Sequence, residues 1–434
     1  MKNLALLLAF ALIFASPMLG QKKGTPISLG NIWLTYDYYP AAPQGFKFMN
    51  DDRYYSAIEK GVGIVKYSVE TGEKVETVVA IPGISSDFSY EFSGDEKAYF
   101  SKSNIEPIYR HSTRESVSAS YLDGKNGAAL AEGLLVSNAT FCPTDNNKIA
   151  FVYENNVVLR EVSPMKITQV TQGGNAGKII HGMPDWVYEE EFGFADALKW
   201  SPSGKYLAFY TTDESRVKMW NMPLYPGENY TMSYDFKYPK AGEDNSIVSI
   251  SIYNVETGKT VTADVGTETD QYIPRIKWNQ DGSQLAVMRL NRLQNQLDVL
   301  MVDPETGSSQ TILTEKSETY IAEATDDKWH FLKSGEGFLW LSEESGYKHI
   351  YHYDMSGKKI GAITSGEWEV EKLLGVDEDS ETVYYTSTEV SPLERHLYKV
   401  KLNGKGKKQL TTEAGTHSIT ASPNMTYFMD TYSN

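Results

Sequence analysis

Trp200-Ser201-Pro202-Ser203-Gly204-Lys205-Tyr206-Leu207-Ala208-Phe209 is the stretch of sequence that decides the fold. An aromatic residue precedes a polar turn that ends in glycine, and a short run of β-prone residues follows the turn. Variants of this pattern recur at residues 92–95, 142–145, 278–282, 331–335, 376–379 and 421–424, with a weaker copy at 48–51. The recurrence predicts a series of similar β units.

A second pattern follows in several of these units. Residues 67–72, 253–258, 302–307 and 353–357 each carry a short polar turn that ends in glycine between two β-prone runs. Glycine is favoured there because the last residue of such a turn adopts a positive φ. These segments therefore predict hairpins, and the units should contain several antiparallel strands each.

The spacing of the units predicts an all-β, eight-bladed β-propeller. The eight copies of the first pattern begin 44 to 58 residues apart, except for one interval of 78 residues. That period suits four-stranded propeller blades. An array of β-sandwiches is the alternative, but it would not repeat one turn at a blade-like period. Helical solenoids are disfavoured because the apolar residues alternate with a period of two.

Two units depart from the regular spacing. The long interval contains the polar, tyrosine-rich stretch 219–238, which predicts a hairpin that projects from one blade. The last unit begins at Ala421, and only one or two of four strands fit before Asn434. We therefore expect the eighth blade to be truncated in this sequence.

Composition narrows the classes of function. The 434 residues carry a formal net charge of −16, so binding of nucleic acid or of anionic lipid through general electrostatics is disfavoured. The single cysteine, Cys142, excludes an intramolecular disulfide. The core must therefore supply the stability, as a chain of this length allows.

Residues 1–20 have the features of a secretory signal peptide: Lys2, an apolar run at residues 4–15 and a small-residue exit. The run is too short to span a membrane, and no later stretch is long and apolar enough. We expect an exported protein, periplasmic or extracellular, with a lead-in segment at 21–45 and the propeller at 46–434.

The sequence contains no Gly-x-Ser-x-Gly, His-Glu-x-x-His, P-loop or Gly-x-Gly-x-x-Gly motif, and we predict no catalytic residue, metal site or cofactor within it. One acidic cluster is distinctive, Asp185-Trp186-Val187-Tyr188-Glu189-Glu190-Glu191. Asp185 can cap a short helix whose first turns carry the glutamates. Two interpretations remain: a capped helix exposed to solvent, or adjacent carboxylates that bind an ammonium group.

Several segments together carry a family resemblance. They are residues 109–112, 185–191, 200–208, 238–242, 346–351 and 366–370. In this order and spacing, they resemble the N-terminal propeller of the dipeptidyl peptidase IV family of serine exopeptidases. The family joins an eight-bladed propeller to a C-terminal α/β-hydrolase domain with a Ser-Asp-His triad. No such domain is present in these 434 residues.

The resemblance implies three substrate-binding residues. Glu190 and Glu191 would bind the free α-amino group of a peptide, and Arg110 would contact a substrate carbonyl. The hairpin closed by residues 238–242 would form a homodimer interface in the presence of the hydrolase domain. Asn245-Ser246 departs from the Asn-Pro often found in the family, so we expect a different local turn at this point and no further difference.

The leading hypothesis is therefore the substrate-recognition region of a protease that removes N-terminal dipeptides, with the catalytic triad outside this chain. The alternative is a non-catalytic, exported propeller that binds peptides or another protein.

Overall fold

The computed structural model describes residues 27–38, 43–84, 88–124, 127–322 and 328–433. The chain divides into two compact units, Met1–Ala42 and Pro43–Asn434. In the first unit, helix α1 (Leu29–Trp33) begins after Ser28, whose side chain accepts a hydrogen bond from the Asn31 backbone N–H. The predicted signal peptide at 1–20 lies outside the described residues. No helix among the described residues is long and apolar enough to cross a membrane.

The second unit is built of antiparallel strands. They are β1 Lys47–Phe48, β2 Tyr54–Glu59, β3 Gly63–Ser68, β4 Lys74–Ala80, β5 Ser89–Phe92, β6 Ala98–Pro107, β7 Thr113–Tyr121, β8 Ala128–Ala129, β9 Ser137–Cys142, β10 Asp145–Tyr153, β11 Asn156–Glu161, β12 Lys166–Gln169, β13 Ile179–His181, β14 Leu198–Trp200, β15 Tyr206–Asp213, β16 Met219–Leu224, β17 Met232–Lys237, β18 Ile247–Asn254, β19 Thr260–Thr262, β20 Gln271–Tyr272, β21 Ile276–Trp278, β22 Leu285–Asn291, β23 Gln296–Val302, β24 Ser309–Lys316, β25 Trp329–Phe331, β26 Gly337–Ser342, β27 His349–Asp354, β28 Lys359–Ala362, β29 Val370–Asp377, β30 Thr382–Ser387, β31 His396–Lys401, β32 Lys408–Gln409, β33 Thr416–Ala421 and β34 Phe428–Ser433. A short helix, α2 (Trp186–Glu190), interrupts the strands.

Within the described residues, the strands form seven sheets of four or five strands, in chain order. Strands β33 and β34 form a further two-stranded sheet, and β16 pairs only with β17. The all-β prediction is confirmed, and so is the hairpin in the long interval. The predicted count of eight blades stays a prediction.

The repeated aromatic and polar turn joins the first strand to the second in the four-stranded sheets, and the second strand to the third in the two five-stranded sheets. Trp200 ends β14 and Tyr206 begins β15, and the other copies lie between the corresponding strands of their sheets. Each unit therefore begins at least one strand earlier than the sequence pattern suggests, and the last begins at Thr416. The second pattern joins the last two strands of a sheet, and Gly72 and Gly307 have φ of 69° and 77°, as the turn requires.

Neighbouring sheets contact one another through these turns and through aromatic side chains. Phe100 and Phe141 stack with ring centroids 3.8 Å apart, which joins the second and third sheets. Around the unit, further contacts join Asn50 with Gly94, Asn146 with Asp95, Thr144 with Ser203, Trp278 with Lys199, Gln280 with Phe331, Ser334 with Glu378 and Tyr384 with Phe428. Each sheet thus packs against the next one in the chain, as in a propeller.

Asp52 completes this series of contacts by joining the last sheet to the first. Its buried carboxylate accepts hydrogen bonds from the Ser422 hydroxyl at 2.8 Å and from the backbone N–H of Asn424 at 3.2 Å. Asn424 also donates its side-chain amide to the Asn50 carbonyl oxygen at 3.2 Å. Residues 370 positions apart are therefore in contact, and the series of sheets forms a closed ring.

Replacing Asp52 by alanine should open this closure. Hydrogen bonds to a charged acceptor are worth about 1.5–3 kcal/mol each, so we expect Asp52→Ala to lower the free energy of unfolding by about 2–3 kcal/mol. Hydrogen exchange should also become faster in residues 416–433. Asp51→Ala is the control, because Asp51 is exposed and its ion pair with Arg53 is worth at most about 1 kcal/mol. Equal effects of the two variants would contradict a closing role.

Candidate functional site

Helix α2 begins where the sequence predicts, because Asp185 caps it. One carboxylate oxygen of Asp185 accepts from the Tyr188 backbone N–H at 3.0 Å, and the other accepts from the Ser246 hydroxyl at 2.5 Å. Burial raises the pKa of Asp185, and these hydrogen bonds oppose the rise. Ser246, where the family pattern often has proline, thus ties the cap to the segment that follows the hairpin.

Glu189 holds a distant loop against the helix. Its side chain is fully buried, and its Oε1 accepts from the backbone N–H groups of His111 at 2.5 Å and Ser112 at 2.9 Å. This places Arg110 beside the helix. The helix is therefore not the solvent-exposed one that the first interpretation required. Sequence reasoning missed this role, although the i, i+4 spacing from the capping Asp185 placed Glu189 on the same side of a helix.

Arg110 and Glu190 form an ion pair across 80 residues of sequence, with Nε 3.1 Å from Oε2. The Arg110 side chain is 70% exposed and that of Glu190 is 16% exposed. The pair is therefore anchored by the glutamate and open to solvent on the arginine side. The structure brings two of the three predicted binding residues into contact.

Glu191 follows directly and ends the helix. Its backbone N–H donates to the Val187 carbonyl oxygen at 2.8 Å, and its side chain is exposed. Within the described part of the chain, its carboxylate has no hydrogen bond or ion pair to a side chain. Glu191 therefore presents an available carboxylate next in sequence to the one that Arg110 engages.

The hairpin β16–β17 packs one face against this site. The Tyr234 hydroxyl donates to the Ile108 carbonyl oxygen at 2.7 Å, and the Phe236 ring lies 6.1 Å from Tyr109 and 6.2 Å from Trp186. The hairpin, the helix and the loop at 107–110 line an open cavity of about 450 Å³. The predicted projecting hairpin is thus also a wall of the site, and the sequence did not indicate these contacts.

Further acidic groups are buried beneath the site. Burial raises the pKa of Glu214 to about 7, and the nearby negative charge of Asp185 adds to the rise. The Gly177 backbone N–H donates to Glu214 Oε2 at 3.2 Å. Burial also raises the pKa of Tyr109, with Glu214 and Asp185 contributing. Glu214 is therefore largely neutral below about pH 7, and the negative charge that favours a cationic ligand comes from Glu190, which lines the cavity.

The geometry suits binding of a cation. Within the described residues, no group of three or more histidine, cysteine, aspartate or glutamate side chains is placed to hold a metal ion. Adjacent carboxylates and an exposed guanidinium can bind an ammonium group and a carbonyl oxygen by charge-assisted hydrogen bonds.

Comparison with known proteins finds relatives that are all named as dipeptidyl peptidases or dipeptidyl-aminopeptidases. The sequence model of the dipeptidyl peptidase IV (DPP IV) N-terminal region matches residues 93–434. Dipeptidyl peptidase 4 of Trichophyton rubrum is 31% identical over 390 residues, which are 86% of this chain and 49% of that protein. Dipeptidyl-aminopeptidase B of Aspergillus niger is 32% identical over 325 residues, covering 68% of this chain and 36% of that protein.

A solved structure is similar as well. The crystal structure of Porphyromonas gingivalis dipeptidyl peptidase 4 matches with a TM-score of 0.88 and 35% sequence identity, over 94% of this chain and 59% of that one. The chain spans about a third to a half of the length of the curated relatives it matches.

Glu214 should make stability depend on pH. Its folded pKa of about 7 lies above the ordinary 4.5, so between these values the folded state holds a proton that the unfolded chain releases. The contribution of Glu214 to the free energy of unfolding is therefore present below about pH 4.5 and is lost as the pH rises to about 7. Glu214→Gln, which stays neutral, should show a smaller loss between these values in urea unfolding.

Glu256→Gln is the control for this experiment, because Glu256 is exposed on a turn between two strands of the same sheet. It should keep the wild-type pH dependence. If the Glu214→Gln protein loses as much stability as the wild type between about pH 4.5 and pH 7, Glu214 is not the group that binds the proton.

Proposed function

This chain belongs to the dipeptidyl peptidase IV family, and we propose that residues 46–434 recognise the free α-amino group of a peptide substrate. The observation that carries the proposal is the placement of Glu190 and Glu191 at the end of a capped helix, with Arg110 held against Glu190. Two neighbouring carboxylates are a suitable receptor for a terminal ammonium group.

Binding at this site would select peptides by their N-terminus. A terminal ammonium that donates to both carboxylates fixes the first residue, and so fixes how far the chain reaches from that point. A peptide with a blocked amino group would lose the charge and part of the hydrogen bonding. The distance from this site would therefore determine which peptide bond is presented for cleavage, namely the bond after the second residue.

Arg110 would contact the peptide next to the ammonium. Its Nε pairs with Glu190, and its two Nη groups form no hydrogen bond within the described residues. They are available to donate to a carbonyl oxygen of the bound peptide. The ion pair limits the freedom of the guanidinium, so less entropy is lost when the peptide binds.

We assign the hydrolytic step to residues outside this propeller region. The relatives carry the names of dipeptidyl peptidases, and the region they share with this chain is the N-terminal one. Under this proposal the complete protein is exported, periplasmic or extracellular, and removes N-terminal dipeptides from peptides.

Peptide binding tests the recognition role. The 434-residue chain should bind Ala-Ala-Ala more tightly than N-acetyl-Ala-Ala-Ala by about tenfold or more, measured by calorimetry or saturation-transfer NMR. Glu190→Gln and Glu191→Gln should each remove most of that preference, and Glu256→Gln should leave it unchanged. Equal binding of the two peptides by the wild-type chain would refute recognition of the amino group.

Peptide hydrolysis by the complete gene product tests the enzymatic role. It should release dipeptides from unblocked peptides, and Glu190→Gln should lower kcat/KM by about 100-fold or more because the substrate is mispositioned. Selective binding without any hydrolysis would favour the non-catalytic binding protein instead.

We also propose that the hairpin forms a two-fold homodimer. Tyr225, Tyr230 and Met232 stay exposed at its free end, and Tyr230 is 87% exposed. Exposed apolar groups of this kind mark interfaces, and a two-fold dimer uses the same surface on both partners. The other face is already occupied by the site, so the free end is the part that remains for a partner.

Replacing Tyr230 should separate the dimer. Tyr230→Glu would place a charge in the buried interface, and the complete gene product should change from dimer to monomer in light scattering. Tyr320→Glu is the matched control, because Tyr320 is an exposed tyrosine outside the hairpin. A Tyr230→Glu protein that remains a dimer would place the interface elsewhere.

A further inference from the structure

A second cavity, of about 650 Å³, lies between the second and third sheets. Its floor is a face of the third sheet, formed by Phe151 of β10 and by Val158 and Arg160 of β11, and Ile167 of β12 lies at the rim. Leu130, which follows β8 of the second sheet, contributes to the opposite wall. The volume lies within the roughly 300–1,000 Å³ of small-molecule sites, and none of its lining residues lines the cavity beside Glu190.

The cavity contains a buried positive charge. Arg160 is more than nine-tenths buried, and its Nη1 donates to the carbonyl oxygens of Ala129 and Leu130, both at 2.6 Å. Its Nε has no hydrogen-bond partner, and its Nη2 donates no hydrogen bond within the described residues. Two donors of the guanidinium are thus left without an acceptor.

Arg160 also lacks a carboxylate partner in the described part of the chain. Arg110, Arg289 and Arg292, by contrast, each pair with a carboxylate at 3.1 Å or less. A buried charge without a partner is costly, so an anion that enters the cavity would gain more here than at an exposed arginine. The charge of Arg160 therefore points to an anionic ligand.

Most of the other lining residues are apolar, with Tyr153 and Gln169 as polar exceptions, and they specify the body of that ligand. Met165 and Ile167 are exposed at the rim, and Phe151 and Val158 lie below. Glu132 also lines the cavity, but it is exposed, and water solvates its charge. One guanidinium balances one negative charge, which suits a monocarboxylate better than a doubly charged phosphate.

We propose that this cavity binds an apolar monocarboxylate, such as a medium-chain fatty acid. The carboxylate accepts from Nη2 of Arg160, and the alkyl chain lies against Phe151, Val158 and Ile167. Apolar burial supplies the affinity, and the guanidinium selects the charge. This site does not depend on the peptide-binding role proposed for Glu190 and Glu191.

Calorimetry with the 434-residue chain and three probes tests the charge. The affinity for decanoate should be at least about tenfold higher than that for decan-1-ol or decylamine, because only decanoate presents a negative charge to Arg160. Acetate should not bind measurably, since it lacks the alkyl chain. Equal affinity for decanoate and decylamine, or no binding of decanoate up to its solubility limit, would overturn the proposal.

Two variants test the location. Arg160→Met keeps an apolar chain and should reduce the affinity for decanoate about tenfold or more while leaving that for decan-1-ol unchanged. It also removes the hydrogen bonds to Ala129 and Leu130. If it does not fold, Ile167→Asp decides the question, because this rim residue is exposed and its replacement adds a repelling charge at the entrance.

Ile360→Asp is the matched control for Ile167→Asp. Both isoleucines are 59% exposed, and both lie on the fourth strand of a four-stranded sheet. Decanoate should bind the Ile360→Asp protein as it binds the wild type, and the Ile167→Asp protein about tenfold or more weakly. Equal affinities of these two variants would place decanoate outside the cavity.

Discussion

The contact of Asp52 with the last sheet makes every other sheet depend on both of its neighbours. A series of sheets stacked only on the next one would have two open ends, each with apolar surface in water. The buried carboxylate of Asp52 accepts hydrogen bonds from Ser422 and Asn424, and it so joins the last sheet to the first. The ring is thereby closed, and the aromatic contacts between neighbouring sheets are buried rather than left at an edge.

The candidate site depends on this arrangement because its residues come from different sheets. Arg110 lies in the connection between two strands of the second sheet, and Glu189 and Glu190 lie in a helix within the fourth unit. Backbone N–H groups of His111 and Ser112 reach the buried Glu189 carboxylate, which holds the two parts together. The ion pair of Arg110 with Glu190 is thus held by a contact deeper in the protein.

Charge gives the two cavities opposite chemistry. Glu190 lines one cavity and Glu191 follows it at the end of the helix, and these carboxylates suit a cation. The other cavity contains Arg160 without a carboxylate partner in the described residues, which suits an anion. The net charge of −16 does not reveal this difference, because it sums over the whole chain.

The sequence by itself determined what depends on neighbours along the chain. The repeated turns around Trp200 and the glycine turns predicted the strands and hairpins, since turn geometry depends on a few consecutive residues. The cap by Asp185 predicted the start of the helix for the same reason. The prediction that Arg110, Glu190 and Glu191 bind substrate needed the family resemblance as well.

Only the tertiary structure decided the contacts between distant residues. Three hydrogen-bonded contacts join positions 77 to 370 residues apart: Tyr234 with Ile108, Glu189 with the backbone of residues 111–112, and Asp52 with Ser422. No local pattern encodes such a contact, because it depends on how the sheets pack and not on spacing along the chain. The burial that raises the pKa of Glu214 and leaves Arg160 without a counter-charge likewise arises only when the sheets come together.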